Sequence, residues 1–124
     1  MKVVIAGGRN FKGQTKHLIL LNLLHELHGF TQVLSGAAKG ADAFGERWAI
    51  TNKIPVKLFP ADWCRHGKLA GPIRNIEMAG EAHLVILFKG GAGTANMREQ
   101  ALKLKIPVID LSMAVYGEEA KDKQ

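Results

Sequence analysis

Three stretches of this chain set glycines beside residues able to hold an anion: Gly7-Gly8-Arg9-Asn10-Phe11, Ser35-Gly36-Ala37-Ala38-Lys39-Gly40-Ala41-Asp42, and Lys89-Gly90-Gly91-Ala92-Gly93-Thr94. Glycine carries a conformational cost that is offset where a backbone must come close to a ligand, because a Cβ would keep amide N–H groups away from phosphate oxygens. In the third stretch, Gly90, Gly91 and Gly93 lie where an apolar run ends and a helix-like segment begins. Unpaired N–H groups and the helix dipole would converge on an anion there, with the Thr94 hydroxyl beside them. Any one of these loops is equally well a tight turn, whereas three in one short chain point to a bound phosphate or similar group. Neither standard nucleotide fingerprint is present. There is no Gly-x-x-x-x-Gly-Lys-Ser/Thr loop, and Gly7-Gly8-Arg9 lacks the Gly-x-Gly-x-x-Gly spacing, which disfavours ATP hydrolysis and ordinary NAD-dependent hydride transfer.

A fourth stretch, from Pro60 to Met78, concentrates polar side chains and is expected to wall the ligand. Arg74, near a helix start, can form a bidentate pair with phosphate, and Asn75 can read a hydroxyl or an amide. Trp63 can stack on a base or plug the core, with nothing to choose between the two. Asp42 can accept a ribose hydroxyl or cap the helix that starts beside it. Arg9, after two glycines, is expected at the phosphate. The expected ligand-binding set is therefore Gly7, Gly8, Arg9, Ser35, Gly36, Asp42, Trp63, Arg74, Asn75, Gly90, Gly91, Gly93 and Thr94. His25 and His28 have a spacing that can bind metal, but no third ligand accompanies them, so an exposed or interface pair is expected. No metal and no cofactor are expected. Cys64 stands alone, which rules out an internal disulfide, and the role of His66 is open.

These loops need elements to carry them. Apolar runs rich in Val, Ile and Leu recur at Val3 to Ala6, Thr31 to Leu34, Val56 to Phe59, Leu84 to Phe88 and Pro107 to Leu111. Helical spacing occupies Thr15 to His28, Ala41 to Asn52, Pro72 to Glu81 and Thr94 to Lys105, and in the first of these Leu18, Leu21, Leu24 and Leu27 are expected to mark one buried face. Pro60 to Gly71 reads as a long polar connection. Strand and helix alternate, so the expected fold is an α/β, Rossmann-like three-layer sandwich with a mainly parallel sheet of about five strands. With the first strand central and the fourth beside it, the loops after these strands face one another across a crevice.

The chain has 124 residues, of which 47% are apolar, enough for one domain without disulfide or metal staples. One domain over residues 1–112 with a C-terminal tail at 113–124, frayed over Glu118 to Gln124, is expected, and no internal repeat or linker divides it. The surplus of 17 Lys and Arg over 11 Asp and Glu gives a net charge of +6, which favours anionic partners, phosphate ligands or nucleic acid. No apolar run is long enough to span a bilayer, and no leader precedes the first strand, so a cytoplasmic protein without a membrane partner is expected.

Four ordered motifs carry a resemblance: Ala6 to Phe11; Ser35 to Asp42; Ala61-Asp62-Trp63 with His66-Gly67-Lys68 and Gly71 to Asn75; and Gly90 to Met97. Together they are similar to the SLOG superfamily of Rossmann-like proteins, in its YspA-related branch. The resemblance implies a pocket for a nucleotide-derived small molecule, in a superfamily that includes the LOG phosphoribohydrolases and Smf/DprA-type DNA-binding proteins, and it implies a homo-oligomer. The LOG signature is Pro-Gly-Gly-x-Gly-Thr-x-x-Glu with an upstream Arg-Lys pair. Here Arg74-Asn75 resembles that pair, Lys89 replaces the Pro, and Met97 occupies the position of the catalytic Glu. Cleaving an N-glycosidic bond builds positive charge on the ribose, which a carboxylate stabilises and a methionine does not. Catalytic residues, if the chain is a nucleotide N-glycosidase, are sought among Arg74, Asp62, Glu77 and Glu99. A binding or sensing module is the first expectation, the N-glycosidase the second and single-stranded DNA binding the third.

Overall fold

Near-continuous apolar strands can be buried on both faces only if helices cover both sides of a parallel sheet. The computed structural model, which describes residues 1–114, has this architecture. The strands are β1 (Lys2–Ala6), β2 (Gln32–Ser35), β3 (Val56–Leu58), β4 (Leu84–Leu87) and β5 (Val108–Asp110). All neighbours pair in parallel, in the order β3-β2-β1-β4-β5. The helices are α1 (Thr15–His28), α2 (Ala41–Thr51), α3 (Trp63–His66), α4 (Ala70–Glu81), α5 (Ala92–Lys103) and α6 (Leu111–Ala114). A 3-10 turn, Gly67–Leu69, joins α3 to α4. The expected tail at 113–124 lies mostly outside the described residues, and α6 crosses its proposed start. No helix among the described residues is long and apolar enough to cross a membrane.

The alternation of side chains along each strand divides the core in two. Val3 and Ile5 of β1, Val33 of β2, and Leu84 and Ile86 of β4 face one layer with Leu21 of α1 and Phe44, Trp48 and Ala49 of α2. Val4, Ala6, Leu34, Val85 and Leu87 face the other, with Met78 and Ala79 of α4 and Met97 and Ala101 of α5. The central strands are thus fixed from both sides, and their carboxyl ends emerge side by side.

Two expectations are corrected. Leu18, Leu21, Leu24 and Leu27 do not form one buried face: Leu21 is buried and Leu24 half-buried, while Leu18 is 38% and Leu27 79% exposed. A step of three residues slips by about 60° around a helix of 3.6 residues per turn, so the four positions spread over about half the circumference. The buried stripe instead follows His17, Leu20, Leu21, Leu24 and His25. Second, the stretch after β3 is folded rather than a plain connection. Asp62 caps α3 by accepting from the Arg65 amide at 3.1 Å, and the 3-10 turn leads directly into α4.

Candidate functional site

One residue, Gly8, ties the strand-end loops together. The Gly8 N–H donates to the Lys89 carbonyl at 2.9 Å, and the Gly8 carbonyl accepts from Ala41 at 3.1 Å and Phe11 at 3.2 Å. The loops after β1, β2 and β4 are therefore joined through Gly8. The β1 loop is also held from below: the Phe11 ring stacks on Phe88 with centroids 4.7 Å apart and meets the edge of His17 at 4.8 Å. His17 is buried in this aromatic cluster, its Nδ1 accepts from the Gln14 amide, and burial lowers its pKa, which keeps the ring neutral.

Between these loops and α4 lies a cavity of 540 Å³. Its floor is Ala6, Gly7 and Gly8, one wall is Arg74, Asn75 and Met78, and the other is the start of α5 from Gly91 to Thr94. α5 is capped by Gly91, and the first amide to find an intrahelical carbonyl is that of Ala95, bonded to Gly91 at 3.0 Å. The amides of Ala92, Gly93 and Thr94 precede it in the first turn, where a helix has no acceptors of its own. Among the described residues no side chain caps them. The positive end of the α5 dipole thus opens onto the cavity.

The glycines of the β4 loop divide into two kinds. A Cβ on Gly90 would lie 2.1 Å from Thr94 Oγ1 and 2.6 Å from the Gly8 nitrogen, so Gly90 is required by the protein's own packing. A Cβ on Gly91 or Gly93 would meet nothing within 4 Å. Packing does not require glycine at those two positions, and both line the cavity.

Arg74 reaches across the site. Its Nη1 donates to the Gly36 carbonyl and its Nε to Asn75 Oδ1 at 3.0 Å. Asn75 is buried and donates through Nδ2 to Asn96 Oδ1 at 2.9 Å and to the Gly93 carbonyl at 3.3 Å. Every polar atom of the Asn75 amide is therefore engaged within the protein. Asn75 couples the guanidinium to the α5 start and orients it, rather than presenting a free amide. Asp42, also buried, accepts from the Ala38 amide at 3.2 Å. Burial pushes its pKa up, opposed by that hydrogen bond and by the Arg74 charge. Burial in turn lowers the pKa of Arg74, which Asp42 opposes and Arg9 reinforces.

Of the residues expected at a ligand, Gly7, Gly8, Arg9, Asp42, Trp63, Arg74, Asn75, Gly91, Gly93 and Thr94 line this cavity. Ser35 and Gly90 do not. Ser35 is buried and turned away, donating to Glu46 Oε2 at 2.6 Å and accepting from the Ala37 amide at 3.1 Å. Gly36 lines an adjoining cavity of 510 Å³ with Arg9, Asn10, Lys39, Trp63 and Arg74. Trp63 is half exposed and borders both cavities, so it does not plug the core.

The carboxylates considered for catalysis are elsewhere. Asp62 caps α3, Glu77 is exposed on α4, and Glu99 pairs with Lys103 at 3.3 Å on the surface of α5. None of the three lines either cavity, whereas Asp42 is the one carboxylate lining the first. Met97 lines it too and is otherwise packed into the core beneath α5. His25 and His28 both stack on Phe30, and no group of three potential metal ligands occurs among the described residues. Cys64 and His66 line neither cavity. Sequence reasoning missed two coupling roles, that of Asn96 and that of Gly40, whose φ of 73° and missing Cβ let the β2 loop sit against the Gly8 and Arg9 carbonyls. Asn96 lies two residues beyond Thr94 on α5, where only the structure places it against α4, while the spacing Gly36-x-x-x-Gly40 before a helix was a visible sign for the second.

The family model described as "YspA, cpYpsA-related SLOG family" matches residues 1–66, which include the loops after β1 and β2. The chain belongs to this family. A SLOG-family chain of this kind is also similar to the Gene 61 protein of Mycobacterium phage D29, with 36% identity over 118 residues, 88% of this chain and 94% of that one. That alignment extends the likeness to α4 and α5, beyond the stretch matched by the SLOG family model. Among solved structures, the X-ray structure of TM1055, a structural genomics target, superposes with a TM-score of 0.68 at 19% identity, over 86% of this chain and 71% of that one. At that identity the likeness concerns the fold alone.

Proposed function

We propose that the chain is a binding or sensing module for a phosphate-bearing nucleotide or nucleotide derivative. The observation that carries this reading is the first turn of α5: its amides at Ala92, Gly93 and Thr94 open onto a cavity that Arg9 and Arg74 also line. Backbone donors at the positive end of a helix dipole, with a guanidinium held opposite by Asn75, are matched to a phosphate. Asp42 is suited to accept a ribose hydroxyl, and the exposed face of Trp63 to stack on a base.

Binding is favoured over turnover because the cavity has a buried methionine, Met97, where LOG-type hydrolysis needs a carboxylate, because Asp62, Glu77 and Glu99 lie outside it, and because its one lining carboxylate, Asp42, is buried and held by the Ala38 amide. The direct test is isothermal calorimetry with AMP, ADP-ribose, NAD and cyclic nucleotides, adenosine serving as the comparison, and with the same mixtures assayed for free base. AMP is expected to bind at least about tenfold more tightly than adenosine, since a charge-assisted phosphate contact contributes about 1.5–3 kcal/mol. No base is expected to appear. Equal affinity for adenosine and AMP would contradict a phosphate-centred site, and steady release of adenine would replace the sensor with an N-glycosidase.

A further inference from the structure

The adjoining cavity is nearly as large as the one at α5, 510 against 540 Å³, and the two share Arg9, Ala38, Trp63 and Arg74 as walls. Its charge is one-sided. Arg9, Lys39 and Arg74 line it with no carboxylate among its lining residues. Asp42 lines the first cavity and is engaged by the Ala38 amide and by the charges of Arg74 and, more weakly, Arg9. Among the described residues no carboxylate lies within ion-pair distance of Arg9 or Lys39, and the acid that feels the Arg9 charge, Asp42, is shared with Arg74. The Arg9 charge also acts against that of Arg74, lowering its pKa. Three cations gathered around one hollow repel one another, and an anion placed among them relieves that repulsion.

We propose that this second cavity receives a second phosphoryl group of the same ligand, so that the chain recognises a nucleotide carrying two phosphoryl groups rather than a monophosphate. The proposal rests on the reading that one phosphate sits at the start of α5. Continuity of the lining is what assigns both groups to one molecule. A nucleotide seated at α5 meets Trp63 and Arg74, and a further phosphoryl group on it passes those same side chains to reach Arg9, Lys39 and the polar Asn10. Lys39 specifies the second group, because it borders only the second cavity.

Calorimetry of the full chain with AMP, ADP and adenosine 3′,5′-bisphosphate tests this. The second phosphoryl group extends from the first in ADP and from the far side of the ribose in the bisphosphate, so the two arms identify the attachment. At least one of them is expected to bind about tenfold or more tightly than AMP. In Lys39→Met, the ratio of its affinity to that of AMP is expected to fall by about fivefold or more. Lys53→Met, which removes a charge from an exposed turn bordering neither cavity, is expected to leave the ratio within about twofold. AMP binding with no gain from either second phosphoryl group would overturn this inference and leave the phosphate site at α5 standing. A gain that survives Lys39→Met undiminished would also overturn it. Failure of all three nucleotides to bind would remove both readings.

Discussion

Arg74→Ala is expected to weaken AMP binding by about 100-fold while the chain stays folded. The guanidinium is held by two hydrogen bonds, to the Gly36 carbonyl and to Asn75 Oδ1, and Arg74 lines the cavity opposite the α5 start. Loss of a positioned charge contact to phosphate costs about 2–5 kcal/mol in binding, and 100-fold, about 2.7 kcal/mol, lies toward the lower end of that range. The cost to folding is smaller, about 1–2 kcal/mol, because Arg74 is only half-buried and water can reach the abandoned acceptors. Arg74→Lys is not expected to restore affinity, since one ammonium cannot replace a planar fork that bonds Gly36 and Asn75 while also facing a ligand. The pH dependence separates this account from a simple loss of packing. Asp42 has a raised pKa in the folded chain, so the folded state favours its protonated form, and stability declines as pH rises from the ordinary aspartate value through the raised one. Removing the Arg74 charge raises that pKa further. The stability deficit of Arg74→Ala is therefore expected to be largest at neutral pH and to shrink as pH falls through the Asp42 titration. Denaturant melts from pH 4 to pH 7, run beside AMP calorimetry, check both effects. A variant that melts early at every pH but binds AMP like the wild type would reduce Arg74 to a structural clamp.

Gly40→Ala is expected to destabilise the fold by about 3 kcal/mol or more. Gly40 has φ of 73°, a conformation L side chains rarely adopt, and a Cβ there would lie 2.2 Å from the Gly8 carbonyl oxygen and 2.5 Å from that of Arg9. Those are backbone atoms and cannot rotate away. Separating the two loops would break the Ala41 bond to Gly8 and disturb the α2 start. For a domain of this size, 3 kcal/mol corresponds to a fall in Tm of roughly 10 °C. Thermal melts by circular dichroism provide the measurement. A melting temperature within about 2 °C of wild type would show that the interlock at Gly8 is not as tight as described.

How much of this was legible beforehand depends on whether the signal was local. β1 and β4 were readable because a central parallel strand is apolar on both faces, and Val3 to Ala6 and Leu84 to Leu87 have no polar position at all. α1 was readable to the residue because Gly29, in the left-handed conformation with φ of 66°, ends it. α5 starts at Ala92 rather than Thr94 because Gly93 joins the first helical turn despite its poor helix propensity. α3 was not readable: four residues are too few to establish a period, and its stability comes from the Asp62 cap and contacts with α4. The same division holds for the site. Strand order sufficed to bring Gly7, Gly8, Gly91 and Gly93 to one crevice, since loops after adjacent strands must meet. Sequence had no means of showing that Ser35 turns inward to Glu46, that Asn75 spends its amide on Asn96 and Gly93, or that Asp42 lies opposite Arg74. Those outcomes depend on side-chain directions across elements far apart in the chain.

The central claim is that main-chain amides at the start of α5 receive the ligand's phosphate, and amide chemical shifts report on it directly. Two-dimensional ¹H–¹⁵N spectra of the labelled chain, titrated with AMP and separately with adenosine, are expected to move the amides of Ala92, Gly93 and Thr94 downfield with AMP well beyond any shift produced by adenosine. Saturable AMP binding that leaves those three amides in place, with its largest shifts on residues bordering neither cavity, would contradict the account.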